Sequence, residues 1–179
     1  MKAFLTGRPG VGKTTLVKHF VRAYKHLVLG FWTEELRDNH TQKRKGFYIL
    51  TTEGEKILFS GKDISSPFRV GKYGVDIETF EEVVLPLLEN GVKDEGKLIV
   101  IDEIGKMELL SKKFVKIVEK IVFERKNPVL GTIPVFNVHP LVSKIRDSNK
   151  VKVFLVDNRT REKILRDIVE FFKTSSVFL

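Results

Sequence analysis

The feature that most constrains this chain is an eight-residue segment close to its beginning. The segment consists of Gly7, Arg8, Pro9, Gly10, Val11, Gly12, Lys13 and Thr14, and Thr15 follows it. It matches the P-loop pattern G-x-x-x-x-G-K-[ST], in which glycines let successive backbone N–H groups turn toward phosphate oxygens. We therefore predict that Lys13 reaches the β- and γ-phosphates of a nucleotide and that the Thr14 hydroxyl binds Mg²⁺.

The residues on both sides of this segment supply the context that a P-loop needs. Residues 2–6 are mainly apolar and predict a buried strand, and apolar residues after the loop recur at helical spacing. A strand before the loop and a helix after it favour phosphate binding over a glycine turn that binds nothing.

The second informative stretch ends in two adjacent carboxylates. Asp102 and Glu103 directly follow four aliphatic residues, Leu98, Ile99, Val100 and Ile101. A strand this apolar is buried on both faces, and its carboxyl end opens onto the crevice where a parallel sheet binds ligands. This is the Walker B arrangement, in which we expect Asp102 to hold Mg²⁺ and Glu103 to orient or deprotonate the attacking water. A solvated turn or a helix cap is the alternative, which the upstream P-loop makes less favoured.

The rest of the chain predicts an α/β fold. Strand-like and helix-like runs alternate, which indicates a mostly parallel sheet with helices on both faces, and residues 46–60 predict a β-hairpin. We expect the second strand to cover residues 27–32 and residues 61–75 to be irregular. A helix capped by Asp76 is expected to be kinked or ended early by Pro86.

Composition limits the class of protein. A length of 179 residues fits one domain, residues 1–179, and the absence of cysteine excludes disulfides, thiolate metal sites and cysteine nucleophiles. Lysine and arginine number 32 against 23 acidic residues, and the net charge of +9 favours polyanionic partners. Because both signs are interspersed along the chain, a lysine-rich solvated surface is preferred to a nucleic-acid interface.

The chain has the pattern of a cytoplasmic protein. No apolar run approaches the roughly 20 residues that cross a bilayer. The first strand is predicted to begin at residue 2, which leaves no room for a signal peptide. We therefore expect a soluble cytoplasmic protein with no membrane partner.

Three polar residues at the predicted strand ends are accessory candidates. Glu34 and Arg37 follow the second strand, and Thr132 ends a later one. If the strand of Thr132 lies beside the P-loop strand, its hydroxyl can bind the attacking water or the γ-phosphate; an ordinary strand-terminal threonine is an equally good interpretation.

A polar pentapeptide at residues 157–161 follows the last strand. Asn158 and Arg159 are accessory candidates there, because a base or ribose could rest on this side of the sheet and a guanidinium stacks on a purine. For Arg161, a solvated arginine at a helix cap is slightly preferred.

Taken together, the motifs resemble one family. They are the run of residues 7–15, GFWTEELR at residues 30–37, DEIGKME at residues 102–108 and GTIP at residues 131–134. These runs resemble the small nucleoside-triphosphatase family described from hyperthermophiles, whose human member is called cancer-related nucleoside-triphosphatase. The resemblance covers essentially the whole chain.

This resemblance implies a RecA-like P-loop fold and Mg²⁺-dependent hydrolysis of several nucleoside triphosphates to diphosphate and phosphate, with weak base selectivity. It also carries the family's nucleotide contacts onto two segments. They are residues 7–14 and the strand end from Leu98 through Asp102, Glu103, Ile104 and Gly105.

Other functions stay open at this point. A nucleotide or nucleoside kinase shares the loop and the size, but it needs an acceptor pocket and an arginine clamp. A guanine-nucleotide switch is disfavoured, because residues 149–152 lack the aspartate of an N-K-x-D motif. A nucleic-acid-associated ATPase is permitted by the charge but lacks an aromatic and basic RNA signature.

Overall fold

The computed structural model describes residues 1–178, and all structural statements below concern that part of the chain. Its elements are β1 (Lys2–Thr6), α1 (Lys13–Ala23), β2 (Val28–Arg37), β3 (Arg44–Thr51), β4 (Lys56–Gly61), β5 (Arg69–Val70), β6 (Tyr73–Val75), α2 (Ile77–Lys93), β7 (Leu98–Ile101), α3 (Lys112–Phe123), β8 (Val129–Thr132), α4 (Pro140–Asp147), β9 (Val151–Leu155) and α5 (Arg161–Phe172). A single turn of 3-10 helix covers Glu108–Leu110.

One sheet contains all nine of these strands, in the order β5-β6-β4-β3-β2-β7-β8-β1-β9. The five strands from β2 to β9 in this order are parallel. β8 lies between the P-loop strand β1 and the strand β7 that carries the two acids, so the predicted RecA-like parallel sheet is confirmed. The carboxyl ends of β1, β7 and β8 therefore meet at one edge of the sheet, where α/β proteins bind ligands.

Helices cover both faces of the parallel strands. One hydrophobic cluster joins α1 and α5 to sheet residues such as Ala3 and Leu5, and the other joins α2, α3 and α4 to residues such as Phe4. Successive residues of a strand point to opposite faces, and β1 and β7 are buried throughout because both faces are covered. Burial of both faces of β7 explains why the run of residues before Asp102 is continuously apolar.

The predicted hairpin is confirmed as β3 and β4, but two expectations beside it are wrong. The second strand does not end at Trp32: it continues to Arg37, because its second half leaves β7 and pairs antiparallel with β3. Residues 61–75 are not wholly irregular either, since β5 and β6 extend the antiparallel part of the sheet. Both errors arise from pairing partners that are distant in sequence and that local patterns do not reveal.

The helix around Pro86 is longer than expected. The cap is confirmed, since the Asp76 carboxylate accepts a hydrogen bond from the N–H of Thr79. Pro86 does not end α2, which continues to Lys93. Val84 and Leu88 lie buried on either side of the proline, and this tertiary packing outweighs the lost backbone hydrogen bond.

No helix within residues 1–178 is long and apolar enough to cross a membrane.

Candidate active site

The P-loop leaves hydrogen-bond donors free at the start of α1. Gly10 and Gly12 adopt φ angles of 77° and 106°, in the left-handed region that favours glycine. Gly12 is the N-cap of α1 and provides no side-chain acceptor for the N–H groups of the first turn. These donors and the positive end of the helix form a site for an anion.

Lys13 lies across this loop. Its Nζ donates a hydrogen bond to the carbonyl oxygen of Gly7 at 2.8 Å and lies 3.7 Å from Oε2 of Glu103. The side chain is only 10% exposed. The ammonium is therefore held between the loop and the end of β7, where a phosphate bound in the loop would contact it.

Asp102, directly after β7, connects this strand to helix α1 and to β8. Its carboxylate is 1% exposed and accepts hydrogen bonds from the hydroxyls of Thr14, at 2.7 Å, and Thr132, at 2.6 Å. Burial raises the pKa of Asp102, and the two hydroxyls oppose this shift. β8 does lie beside β1, as one interpretation of Thr132 required, but the Thr132 hydroxyl is bonded to Asp102.

A magnesium ion would fit beside Thr14 and Asp102. Mg²⁺ prefers oxygen ligands and commonly takes one or two from the protein and the rest from phosphates and water. A hydroxyl and a carboxylate that lie 2.7 Å apart at the edge of a P-loop are such a pair.

Glu103 faces the cleft next to Lys13. Its side chain is 29% exposed, and burial raises its pKa, with Lys13 opposing the shift and Asp102 adding to it. A carboxylate with a raised pKa that stays accessible from the cleft is suited to accept a proton from water.

Glu108 is a third acid in this region and is not among the candidates that the sequence pattern identifies. It is 6% exposed, and burial, followed by the charge of Glu103, raises its pKa well above the ordinary value. A Cβ atom at Gly105 would lie 2.6 Å from Oε1 of Glu103 and 3.0 Å from Oε2 of Glu108, so both carboxylates lie over this glycine. The sequence signal that could have identified Glu108 is an acidic residue with apolar neighbours shortly after Asp102 and Glu103.

A cavity of about 780 Å³ extends from the P-loop to the hairpin. Of the accessory candidates, Glu34 and Arg37 line it. Glu34 accepts a 2.6 Å hydrogen bond from Lys18 of α1. The cleft is therefore longer than the P-loop alone.

Asn158 and Arg159 lie outside this cavity, exposed in the turn before α5. The Asp157 carboxylate accepts hydrogen bonds from the N–H groups of Arg159 and Thr160 and shapes that turn. Arg161 is closer to the loop: a Cβ atom at Gly12 would lie 3.1 Å from its Nη1. Of the basic residues in this segment, Arg161 is thus the one that flanks the P-loop, although the cap interpretation was preferred for it.

The strand order, the glycine loop and the buried end of β7 define a RecA-like P-loop nucleoside-triphosphatase fold. A family model described as NTPase matches residues 2–169. The chain is 48% identical over 177 residues to the nucleoside-triphosphatase THEP1 of Aquifex aeolicus, with 97% of this chain and 99% of the relative covered. It is 40% identical over 185 residues to the human cancer-related nucleoside-triphosphatase, with 96% of each covered.

Solved structures agree with these sequence comparisons. The crystal structure of THEP1 from Aquifex aeolicus matches with a TM-score of 0.88 at 46% identity, covering 96% of this chain and 98% of that one. The solution structure of the human cancer-related nucleoside triphosphatase matches with a TM-score of 0.81 at 40% identity, covering 97% and 98%. The chain belongs to this NTPase family, which confirms the resemblance and the prediction of a nucleoside-triphosphatase enzyme.

Proposed function

We propose that the protein hydrolyses nucleoside triphosphates, namely ATP, GTP, CTP, UTP and TTP, to diphosphate and phosphate in a Mg²⁺-dependent reaction with broad base specificity. The observation that carries the proposal is the connection of Thr14 and Thr132 to one buried Asp102, with Glu103 next to it facing the cleft. The proposal treats residues 1–179 as one cytoplasmic domain.

The phosphates are bound by the backbone of residues 7–14 and by Lys13. In the nucleotide complex the Lys13 ammonium exchanges its contact with the Gly7 carbonyl for phosphate oxygens and neutralises the charge that develops on them. Thr14 and Asp102 would hold Mg²⁺, which would supply further positive charge to the bound phosphates. The contacts expected for Thr15 and the strand end at residues 98–105 are part of the same proposal.

Glu103 acts on the nucleophile. It holds a water in line with the γ-phosphate and accepts its proton as the bond between the γ-phosphorus and the bridging oxygen breaks. The new oxygen–phosphorus bond gives inorganic phosphate, and the diphosphate leaves. No second metabolite is needed as an acceptor.

Broad base specificity is supported by where the base would lie. Residues 157–159 are exposed in a turn, and the sequence has no N-K-x-D motif, so the protein recognises phosphates more than bases. Asn158 and Arg159 would then contribute little selectivity.

Phosphate release tests the proposal. The protein is incubated with each of the five triphosphates and Mg²⁺, without any acceptor, and inorganic phosphate is measured. We expect release from all five within about tenfold of one another, and none when EDTA is present. No release from any of them would reject hydrolysis and favour the kinase alternative, and release that requires added RNA would favour a nucleic-acid-associated ATPase.

A further inference from the structure

We infer that the hairpin end of the cleft, formed by Arg37, Arg44 and Phe47, is a second ligand subsite that binds a nucleoside monophosphate while the P-loop holds a triphosphate. The inference depends on the proposed function only in that a triphosphate occupies the P-loop. It concerns the half of the cavity that the P-loop chemistry does not use.

The first argument is position. The N–H of Asp102 bonds to the carbonyl of Phe31 on β2, and Arg37 follows six residues further along this strand. Because a strand rises about 3.3 Å per residue, the Arg37 backbone lies on the order of 20 Å beyond Asp102. β2 and β9 are on opposite sides of β1 in the sheet, and the base of the triphosphate is expected on the β9 side. The hairpin end therefore stays open in the triphosphate complex.

The second argument is the pairing of two arginines. Arg37 lies opposite Arg44 in the β2–β3 ladder, although like charges in this arrangement repel one another. A bulge produces the pairing: Leu36 lies opposite Gly46, and the ladder then skips Lys45. Both guanidiniums reach the same carboxylate, that of Glu35. Two guanidiniums that converge in this way can bind a phosphate monoester.

Among residues 1–178, one carboxylate forms ion pairs with these two arginines. Glu35 forms ion pairs with both Arg37 and Arg44, the latter at 3.4 Å. Its side chain is 33% exposed. Arg37 also donates from Nη1 to the carbonyl oxygen of Gln42 at 2.8 Å, so a phosphate arriving from the cavity would compete with Glu35 for the remaining N–H groups of the two guanidiniums. One positive charge is in excess in this cluster before a ligand binds.

The third argument is the surface beside the arginines. The Arg44 guanidinium lies 5.1 Å from the ring centroid of Phe47, and its Nε donates to the Tyr73 hydroxyl at 3.2 Å, which orients it. Phe47, Val70, Met107 and Phe136 are among the residues that line the cavity. Phe136 is 76% exposed. A phosphate site flanked by aromatic and aliphatic surfaces fits a nucleotide better than inorganic phosphate.

Calorimetric titration of AMP into the protein tests the subsite. The P-loop is first saturated with Mg²⁺ and the non-hydrolysable imido analogue of ATP. We expect one further molecule of AMP to bind. Arg44→Gln and Arg37→Gln should each weaken AMP binding at least tenfold, and Arg69→Gln, a matched exposed arginine outside the cavity, should change it less than twofold. Ribose 5-phosphate should bind at least tenfold more weakly than AMP.

A variant that is expected to strengthen AMP binding makes the test specific. Glu35→Gln removes the carboxylate that competes for the guanidiniums and should tighten AMP binding, whereas a purely structural role of the cluster predicts no gain. The subsite is rejected if AMP binds only when the analogue is omitted, or if a single-stranded oligonucleotide binds in an Arg44-dependent way and AMP does not. Binding of the imido analogue itself reports separately on the proposed function.

Discussion

The two ends of β1 are both next to buried charges, but the charges are satisfied in different ways. At the amino end, Lys2 is 7% exposed and its Nζ donates to the carbonyl oxygens of Ile121, Arg125 and Asn127 at 2.6–2.9 Å. Burial lowers the pKa of Lys2 to about 8, so at neutral pH the amine is an ammonium with three hydrogens for three acceptors.

At the carboxyl end, charges of one sign accumulate. Asp102 and Glu108 are buried and Glu103 lies near them at the cleft, and burial raises the pKa of each. Lys13 forms the one ion pair to this cluster within residues 1–178. The Lys2 ammonium has one hydrogen-bond acceptor for each of its hydrogens, which offsets part of the cost of burying it. Buried negative charge in excess of its partners instead raises the free energy of the folded state unless a counter-ion binds. This difference supports the carboxyl end of β1 as the proposed site of nucleotide hydrolysis.

Removing the lysine of the acid cluster is expected to have the largest effect. Lys13→Ala removes the proposed phosphate ligand and the ammonium that forms an ion pair with Glu103, so both nucleotide binding and turnover should fall. We expect kcat/KM for ATP to decrease by roughly a thousandfold or more. Steady-state phosphate release and binding of the imido analogue measure the two parts. Lys18→Ala is the matched control on the same helix, and equal losses in both variants would contradict a special role of Lys13.

Changing the proposed base should separate binding from chemistry. Glu103→Gln keeps the size of the side chain but removes the proton acceptor, so we expect turnover to fall by roughly a hundredfold or more with nucleotide affinity nearly unchanged. Single-turnover phosphate release checks the rate, and titration with the imido analogue checks the affinity. Glu55→Gln on the hairpin turn serves as the control. Turnover like that of the unchanged protein would remove Glu103 from the mechanism.

Replacing Lys2, at the amino end of β1, should affect stability and not catalysis. Lys2→Met removes the donor of two buried hydrogen bonds and one part-buried hydrogen bond. We expect the free energy of unfolding to fall by about 2–4 kcal/mol. Urea denaturation measures the change, and turnover per folded molecule should stay the same. Lys97→Met is the matched control, since Lys97 is a lysine whose Nζ donates to the carbonyl of His26 at an exposed position. Equal losses in the two variants would contradict the importance of burial.

The same contrast explains which features are predictable from the sequence. The P-loop and the Asp102-Glu103 pair are short patterns of neighbouring residues, so the sequence alone predicts them as parts of a nucleotide site. The alternation of strand-like and helix-like runs likewise predicts the sheet. The partners of Lys2 lie about 120 positions away, so its sequence neighbourhood resembles that of any lysine at a strand start. The bond between Thr132 and Asp102 and the pairing of Arg37 with Arg44 likewise depend on strands that meet only in the folded chain.

Neutralising Glu108 should give the smallest effect. It should increase the free energy of unfolding, whereas Lys2→Met should decrease it. The folded-state pKa of Glu108 is raised well above 4.5, so above pH 4.5 the folded protein binds more protons than the unfolded chain. This carboxyl therefore lowers the free energy of unfolding as the pH rises through that window.

Glu108→Gln removes the contribution, and we expect it to increase the free energy of unfolding at pH 7 and to leave it unchanged relative to the parent protein near pH 4. Urea denaturation from pH 4 to 8 measures this difference, with the exposed Glu89→Gln as control. Because Mg²⁺ alone would bring positive charge to the same region, saturation with Mg²⁺ should reduce the advantage of the variant. An unaltered pH dependence in Glu108→Gln would show that the negative charge is not in excess at this end of β1.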